Sequence, residues 1–371
     1  MKIIDFLKSH ENLEIALAAL NAETGIVARD YPDYFVLNYS QIDSPKTHPL
    51  VVEARSLILK KDLTVASRSF DRFFNFGEAL EHYANFDWNN AIVFEKVDGS
   101  LIKVWHDDVA GIWQIATRSS AMAEVPHPMG GTFREWVLKA FNVSEERFQE
   151  VMAPINTGDT YIFEYIGTEN RIVTRYEKSQ MVLLAIRNKN GMFYPQRDIT
   201  FVSEMMAQTG FNVREVKTYA AASIHDLENM ARELPALDEG YVVWDFVHDL
   251  RIKIKNPVYC RLHSMRGNEV SIKKFWELVL EGEDSEFLTY FPEYTNIVEP
   301  MIKEINTIKN KMNAVFEEHK FKENQKDFAL SVKDYPYSAI LFSARKTGKP
   351  ITQVFEEARM EWKVDLLMGE E

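Results

Sequence analysis

The sequence has few of the features that would place it outside the cell or in a membrane. Its only cysteine is Cys260, so an intramolecular disulfide and a cysteine-built zinc site are both excluded. No apolar run approaches the roughly 20 residues that cross a bilayer, and Asp5 lies where a secretory signal would need apolar residues. We therefore expect no membrane association and a reducing, cytoplasmic setting.

Positive charge is also scarce, because 43 basic residues face 56 acidic ones and the net charge is −13. This balance disfavours a protein that coats DNA non-specifically, since such binding depends on neutralising many phosphates. It does not exclude an enzyme with a local basic cleft, whose field is set by its own wall. The length of 371 residues, 46% of them hydrophobic, is typical of a globular protein of two or three domains.

Two regions with different patterns follow one another along the chain. Between about residues 34 and 255, short runs rich in aromatic and β-branched residues recur between turns, as strands require. Helical stretches at 132–141 and 199–209 interrupt them. The pattern predicts an α+β fold with antiparallel sheets rather than a doubly wound one. The clearest expected strands are 34–37, 91–94, 161–166, 181–186 and 240–244.

The remainder of the chain, from about residue 256, has helical periodicity. Segments 272–280 and 354–366 show it, and so does a longer stretch in which Lys and Glu fill the opposite face. The apolar residues of that stretch are Met301, Ile302, Ile305, Ile308, Met312, Val315 and Phe316. We therefore predict a first domain at 1–257 and a small all-helical domain at 258–371.

The segment Lys96-Val97-Asp98-Gly99 lies between two predicted strands. Asp-Gly between hydrophobic runs is a strong hairpin signal, so an ordinary hairpin turn is one interpretation. The other is that Lys96 is a nucleophile, which forms a labile phosphoramidate and passes a nucleotide onward. A lysine amine with the reference pKa of about 10.4 is almost wholly protonated at neutral pH. That chemistry therefore requires partial burial and other cations near Lys96.

Two segments could supply those cations. In the run 251–255 the period of two places Arg251, Lys253 and Lys255 on one strand face, about 6.5–7 Å apart, which suits a row of phosphates. The segment 67–76 combines arginines with four phenylalanines that could line a base pocket. Alternatively, the first run is a half-buried strand with a solvated basic face, and the second is a core strand covered by arginine stems.

Two carboxylates stand out in this region. Glu164 lies inside an apolar strand run, where a carboxylate is costly unless it is paired or bound to a metal. We therefore expect Glu164 to point into a polar pocket, the alternative being an exposed position on an edge strand. Glu239 precedes the strand run 240–244 and, taken alone, could be an exposed loop acid.

Taken in order, these segments resemble the lysine-dependent nucleotidyltransferases, the group of polynucleotide ligases and capping guanylyltransferases. Residues 96–99 are similar to the nucleophile motif of that group and 161–165 to its strand motif with a glutamate. The later motifs resemble 181–187, 239–242 and 253–255. Five matches in the right order are far less expected by accident than any one of them. The resemblance implies an antiparallel-sheet nucleotidyltransferase domain of the ATP-grasp-like ligase type.

Within that group the chain is most similar to the phage-type RNA ligase 1 family. The matching segments are 53–58, 66–75 and 170–173. A helical C-terminal domain also suits this family, whereas DNA ligases and capping enzymes would carry an OB-fold after the last motif. In two places the chain departs from the family pattern. Arg72 stands where the family usually has lysine, and Ser56 where it usually has glycine.

The resemblance implies an ATP-dependent RNA ligase that uses Mg²⁺ or Mn²⁺. Lys96 would attack the α-phosphorus of ATP, the adenylate would move to an RNA 5′-phosphate, and a 3′-hydroxyl would displace it. Glu239 would help position the metal and Glu164 would contact the ribose, while Phe74 and Val242 would lie near the adenine. The full set expected to bind ATP is Arg55, Arg72, Phe74, Gly99, Arg118, Glu164, Val242, Lys253 and Lys255.

The expected partner is RNA with 5′-phosphate and 3′-hydroxyl ends, for which a broken tRNA loop is one candidate. Family analogy gives the helical domain a part in choosing that RNA. Its basic turn 345–350 could contact phosphate or could be a solvated helix connection. No membrane or obligate protein partner is evident, and the expected location is the host cytoplasm if the chain is phage-encoded.

Two other functions remain open. One is another enzyme with the same chemistry, either a DNA ligase or a capping enzyme that uses GTP. The other is a non-catalytic relative that binds RNA or nucleotide. The chain retains Lys96, both carboxylates and both motif lysines, which argues against this alternative.

Overall fold

The structure, a computed structural model, describes residues 1–40, 43–221, 223–265, 272–282 and 284–369. Contacts divide the chain into two compact units, Met1–Arg261 and Leu262–Glu371. The division falls within a helix, Pro257–Met265, whose first residue is the last one of the first domain predicted from the sequence.

The first unit contains all five of the strands expected most clearly from the sequence, together with several others. Its strands are β1 Ile26–Asp30, β2 Tyr34–Tyr39, β3 Leu57–Lys60, β4 Val65–Ser67, β5 Phe74–Asn75, β6 Ala91–Glu95, β7 Ser100–Asp107, β8 Ile112–Ala116, β9 Asp159–Ile166, β10 Gln180–Asn188, β11 Val213–Glu215, β12 Thr218–Tyr219, β13 Gly240–Asp245 and β14 Leu250–Lys255. Its helices are α1 Lys2–Lys8, α2 Leu13–Thr24, α3 Pro49–Glu53, α4 Phe133–Phe141, α5 Glu145–Met152, α6 Gln196–Gln208, α7 Ile224–Glu233 and α8 Pro257–Met265.

These strands form three sheets, with the orders β1-β2-β3-β4, β12-β6-β13-β14-β5 and β11-β10-β9-β7-β8. We call them sheets one, two and three. Nearly all neighbouring pairs are antiparallel, and the parallel ones, β10 with β11 and β14 with β5, involve an edge strand. The α+β class with antiparallel sheets is therefore confirmed.

Helices cover one face of each sheet. Helices α1 to α3 contribute to the core of sheet one, α7 packs on sheet two, and α4 to α6 contribute to the core of sheet three. Local sequence explains their ends: α4 begins with a capping box between Thr132 and Glu135 and ends at Asn142 in a left-handed conformation. The other faces are left to contact one another or to line cavities.

The second unit is helical throughout its described residues. Its helices are α9 Ile272–Glu281, α10 Asp284–Tyr290, α11 Thr295–His319, α12 Gln325–Val332, α13 Ser338–Thr347, α14 Ile351–Glu357 and α15 Met360–Met368. No strand occurs in the described part of 262–371, in agreement with the prediction of an all-helical region. In the described part of the whole chain, no helix combines the length and apolar character needed to span a bilayer.

The single helix predicted over 354–366 is wrong. The chain adopts extended backbone at Ala358 and Arg359, which separates α14 from α15. Phe355 and Val364 are both buried, yet nine residues of continuous helix, at 3.6 residues per turn, would place them on opposite faces. The break lets both enter the interior.

Cationic side chains of the basic turn expected at 345–350 contact other residues of the second unit. The Arg345 guanidinium lies over the Phe328 ring and donates to the Lys322 carbonyl at 2.5 Å. Lys349 pairs with Glu357 at 2.7 Å. These contacts favour the interpretation of the turn as a helix connection.

Candidate active site

The segment Lys96–Gly99 connects two different sheets. β6 pairs with β12 and β13, whereas β7 pairs with β8 and β9. The strands on either side of the segment are therefore not partners, and the hairpin interpretation is wrong. A backbone hydrogen bond of 2.8 Å from Lys96 N to Gly240 O attaches the start of the segment to β13.

Two glycines permit close approaches around this segment. A Cβ atom at Gly99 would stand 2.3 Å from the Tyr165 carbonyl oxygen in β9 and 3.0 Å from Cγ of Glu164. Gly240 has a φ of +134°, and a Cβ there would stand 2.2 Å from the Ile254 carbonyl oxygen. Both positions therefore require glycine for steric reasons, which accounts for the glycines of two motifs.

Asp98 anchors the segment to the chain around residue 173. Its buried carboxylate accepts hydrogen bonds of 2.7 Å from the backbone amides of Val173 and Thr174 and from the Tyr259 hydroxyl. Ser100 donates to the Asn170 side chain at 3.0 Å. The segment 170–173, noted in the sequence for its resemblance, is thus tied directly to the nucleophile segment.

Glu239 lies between two lysines. Its Oε2 is 2.5 Å from Nζ of Lys96, and its Oε1 is 3.0 Å from Nζ of Lys255. Burial opposes ionisation of Glu239, but these two ammonium groups hold its pKa below the usual value. The residue is 6% exposed, so the interpretation of Glu239 as an exposed loop acid is wrong.

The Lys96 side chain lines a cavity of about 300 Å³ between sheets two and three, which we call the first cavity. Seven of the residues expected at the site meet there. They are Arg55, Lys96, Gly99, Glu164, Val242, Lys253 and Lys255. The period of two in β14 explains the last pair, because Ile252 and Ile254 are buried in the core that includes α7 while the three cations face the other way.

Glu164 and Lys253 are both strongly perturbed by their surroundings. Burial raises the pKa of Glu164 to about 8, assisted by the negative charge of Glu239 and opposed by Lys96. Burial, with the positive charges of Arg55, Lys96 and Lys255, lowers the pKa of Lys253 to about 6. Such opposed shifts in one cleft are typical of functional sites.

One wall of the first cavity is aromatic. The guanidinium of Arg251 lies 3.9 Å from the Phe193 ring centroid and 4.4 Å from that of Trp244. Phe70 stacks on Phe193, with centroids 5.5 Å apart. Phe70 and Phe73 both line the cavity, so two of the four phenylalanines in the segment 67–76 lie at a surface suited to a planar base.

A second cavity of about 350 Å³ adjoins the first through Arg55, Phe73 and Lys253. Nη1 of Arg55 and Nη1 of Arg72 are buried there without a hydrogen-bond partner. Two unsatisfied guanidinium nitrogens facing a polar cavity fit an anionic ligand such as a polyphosphate. Its lining comprises Tyr39, Lys46, Arg55, Arg72, Phe73, Phe74, Asn75, Glu78, Arg118 and Lys253.

Tyr39 organises the cations of the second cavity. The guanidinium carbons of Arg72 and Arg118 lie 4.2 and 4.6 Å from its ring centroid. Arginine can stack on an aromatic face in this way, whereas a lysine provides only a point charge. The departure from the family at Arg72 is therefore accommodated by Tyr39.

The departure at Ser56 is accommodated by the backbone. Ser56 has a φ of +55°, the left-handed conformation that glycine adopts without strain. The chain thus keeps a glycine-like geometry next to Arg55 although the residue has changed.

Phe74 is separated from the candidate site residues that meet in the first cavity. It lines the second cavity rather than the first, and its ring contacts His82 with centroids 4.9 Å apart. The reason is that β5 pairs in parallel with β14, with Phe74 opposite Ile252. Phe70 and Phe73 occupy the aromatic positions beside the first cavity instead.

A divalent metal fits the donors available. Within the described residues no cluster of three or more His, Cys, Asp or Glu side chains is arranged to hold a metal. Mg²⁺ usually retains waters and binds one or two carboxylates together with substrate phosphates. Glu239, whose carboxylate is kept ionised by Lys96 and Lys255, is such a carboxylate.

Some residues that line the two cavities were not predicted from the sequence. Trp244 shares a strand face with Val242, so the period of two could have identified it. Tyr39 and Phe193 had no comparable signal, because their positions depend on contacts with Arg72 and Arg251 that are distant in sequence.

Comparison with known proteins identifies the family of this chain. A family model described as RNA ligase matches residues 53–259, more than half of the chain. A protein of Autographa californica nuclear polyhedrosis virus that carries the name of a bifunctional polynucleotide kinase/RNA ligase is 31% identical over 328 residues. The chain therefore belongs to the RNA ligase family.

The extent of the match differs between relatives. The alignment with the baculovirus protein covers 85% of this chain but 45% of that protein. An RNA ligase of Rhodothermus phage RM378 is 25% identical, with 93% of this chain and 92% of the relative covered. Among solved structures, an archaeal ATP-dependent RNA ligase matches with a TM-score of 0.48, 10% identity, and coverage of 96% of this chain and 82% of that one.

Proposed function

We propose that this protein is an ATP-dependent RNA ligase that acts through a lysyl-AMP intermediate on Lys96. The observation that carries the proposal is the placement of the Lys96 amine in the first cavity, 2.5 Å from Glu239, where Lys253 and Lys255 also line the wall. Membership of the RNA ligase family supports it.

In the first step the Lys96 amine attacks the α-phosphorus of ATP. A nitrogen–phosphorus bond forms, the bond from that phosphorus to the bridging oxygen breaks, and pyrophosphate leaves. The nitrogen releases a proton in this step. The Glu239 carboxylate, 2.5 Å from Nζ of Lys96, is placed to accept it. The first cavity takes the adenosine, with Val242 and the aromatic wall beside the base and Glu164 at the ribose.

The phosphates lie in the second cavity, where Arg55, Arg72, Arg118 and Lys253 converge. Charge stabilisation by such preorganised cations is the main source of catalysis in phosphoryl and nucleotidyl transfer. A divalent ion held by Glu239 would neutralise developing charge on the phosphates. Mg²⁺ and Mn²⁺ both suit oxygen donors.

In the later steps the adenylate moves from Lys96 to the 5′-phosphate of an RNA end, and a 3′-hydroxyl then displaces AMP to form the phosphodiester. The substrate is RNA broken to leave these two ends, including a cleaved tRNA loop, so that the reaction is one of RNA repair. The phage and viral sources of the relatives support action in a host cytoplasm.

A mass spectrum of the intact, purified protein tests the reaction class without any guess about the RNA. We expect a fraction of the molecules to be heavier by one adenylate and to lose it on addition of pyrophosphate. Labelled GTP in place of ATP, and DNA ends in place of RNA ends, test the capping-enzyme and DNA-ligase alternatives. A protein that never becomes labelled would support the non-catalytic alternative.

A further inference from the structure

Lys103 is a buried amine to which the reaction above assigns no part. It lies in β7 with 1% of its surface exposed, between Ala116 of β8 and Ile162 of β9. Burial lowers its pKa to about 7, and none of the described carboxylates forms an ion pair with it. Its Nζ donates a hydrogen bond to the backbone carbonyl of Ser56.

The Ser56 carbonyl that accepts this hydrogen bond belongs to a turn with strained backbone. Ser56 has a φ of +55°, a left-handed conformation that is unfavourable for a residue with a Cβ atom. Such a conformation persists only where surrounding contacts hold it in place. Two contacts do so here: the Lys103 amino group donates to the Ser56 carbonyl, and the Ser56 hydroxyl donates to the Thr117 carbonyl at 3.1 Å.

Ser56 and Thr117, which this hydrogen bond joins, are each adjacent in sequence to an arginine of the second cavity. Ser56 follows Arg55, whose buried Nη1 has no partner. Thr117 precedes Arg118, which stacks on Tyr39. One buried amine is therefore linked through a single residue to the backbone of two phosphate-facing arginines that are far apart in sequence.

We propose that Lys103 is a positioning residue for the nucleotide phosphates, because it holds the left-handed turn at Ser56 and so fixes Arg55 and, through Thr117, Arg118. The proposal rests on the function proposed above. A methionine or leucine at position 103 would fill the same space without the penalty of burying an amine. A purely structural role would therefore favour an apolar residue, which makes the connection to the arginines the reason for the lysine.

The test separates the ATP-dependent step from the later sealing step. In Lys103→Met we expect the KM for ATP in lysyl-AMP formation to rise about tenfold, with little change in kcat, because binding geometry is lost rather than the nucleophile. Sealing of a chemically pre-adenylated RNA, which does not use the β- and γ-phosphates, should stay close to the wild-type rate. A purely structural defect would instead lower both activities together.

Two further variants of the turn make the test independent of how well Lys103→Met folds. Ser56→Ala keeps Lys103 and removes the hydroxyl bond to Thr117, so we expect a smaller rise in the KM for ATP, about threefold. Adding Ser56→Gly to Lys103→Met should restore part of the ATP affinity, because glycine adopts the turn without being held. Lys139→Met, on the exposed side of α4, is the matched control and should change nothing.

Unchanged KM values for ATP in both Lys103→Met and Ser56→Ala would overturn the proposal while leaving the ligase function intact. Equal loss of adenylylation and of pre-adenylated RNA sealing would also overturn it. A wild-type protein that neither forms lysyl-AMP nor seals RNA would instead refute the proposed function itself.

Discussion

The two units of the chain differ in where they place charge. In Met1–Arg261 several Asp, Glu, Lys, Arg and His residues are buried, whereas among the described residues of Leu262–Glu371 Lys363 is the one buried residue of these types. In the second unit the ion pair of Lys349 with Glu357 has both partners at least 40% exposed. The buried set of the first unit is Asp98, Lys103, Asp107, His127, Asp159, Arg187, Glu239 and Asp245.

The difference shows which charges the fold maintains at a cost. An exposed ion pair contributes about 0–1 kcal/mol and is readily replaced, but a buried charge carries a desolvation penalty that hydrogen bonds and opposite charges must offset. Three of the buried groups, Asp98, Lys103 and Glu239, lie in or directly beneath the cleft. The following predictions test whether this contrast is functional.

Lys96→Ala should have the largest effect, a complete loss of covalent adenylylation, because the nucleophile is removed. Incubation with labelled ATP followed by denaturing electrophoresis measures it. Lys349→Ala in the second unit, where the lysine is exposed, is the control and should label normally. Persistence of an acid-labile AMP adduct in Lys96→Ala would contradict the assignment.

Glu239→Ala should slow metal-dependent turnover by roughly 10- to 100-fold, the range seen when groups supporting a metal are removed. The rate measured against Mg²⁺ concentration should show both a lower maximum and a higher half-saturating concentration. Glu239→Gln keeps the shape but not the charge, so it should resemble Glu239→Ala if the carboxylate charge is what matters. A metal titration identical to the wild type would remove the metal role.

The Lys103 amine should give the first unit a pH-dependent stability. Its folded pKa of about 7 lies below the ordinary 10.5, so between these values the unfolded chain binds a proton that the folded protein does not. The free energy of unfolding should therefore rise with pH in this window, by up to about 1.4 kcal/mol per pH unit. Below pH 7 the contribution is constant.

The measurement for Lys103 is denaturant unfolding of the wild type and Lys103→Met at pH 6, 7, 8 and 9. All other groups are shared, so the difference between the two curves isolates the lysine. The wild type should gain stability relative to the variant only above pH 7. Parallel curves over the whole range would show that the amine is not perturbed by burial.

Lys349→Ala should have the smallest effect, a loss of at most about 1 kcal/mol in the free energy of unfolding. The pair is solvent-exposed, so 1 M salt should remove most of the difference between variant and wild type. If the free energy of unfolding fell by several kcal/mol, the charges of the second unit would not be the dispensable ones that the comparison of the two units predicts.

Much of this contrast could be predicted from the sequence. Alternation in β14 correctly placed the cations of residues 251–255 on one face, and the cost of a carboxylate in a strand correctly placed Glu164 in a cleft. The helical periodicity of residues 301–316 identified α11. These inferences succeeded because each depends on neighbours along a single element, where geometry follows from the period alone.

The remaining features depend on contacts between distant segments. The sequence Asp98-Gly99 suggested a hairpin between β6 and β7. Because β6 pairs with β13 instead, the segment connects two different sheets. The stacking of Arg72 and Arg118 on Tyr39, and the bond from Lys103 to Ser56, join residues from separate strands and loops. The break at Ala358 is set by the burial of Phe355 and Val364, which no local breaker residue marks.

The close approach of Gly99 to the Tyr165 carbonyl has a consequence for mutational tolerance. A methyl group there, 2.3 Å from that oxygen, would push the nucleophile segment away from β9, and every larger side chain would push it further. A saturation library at this codon, selected for self-labelling with adenylate, should therefore return glycine and nothing else, although the residue itself contributes no chemical group to the reaction.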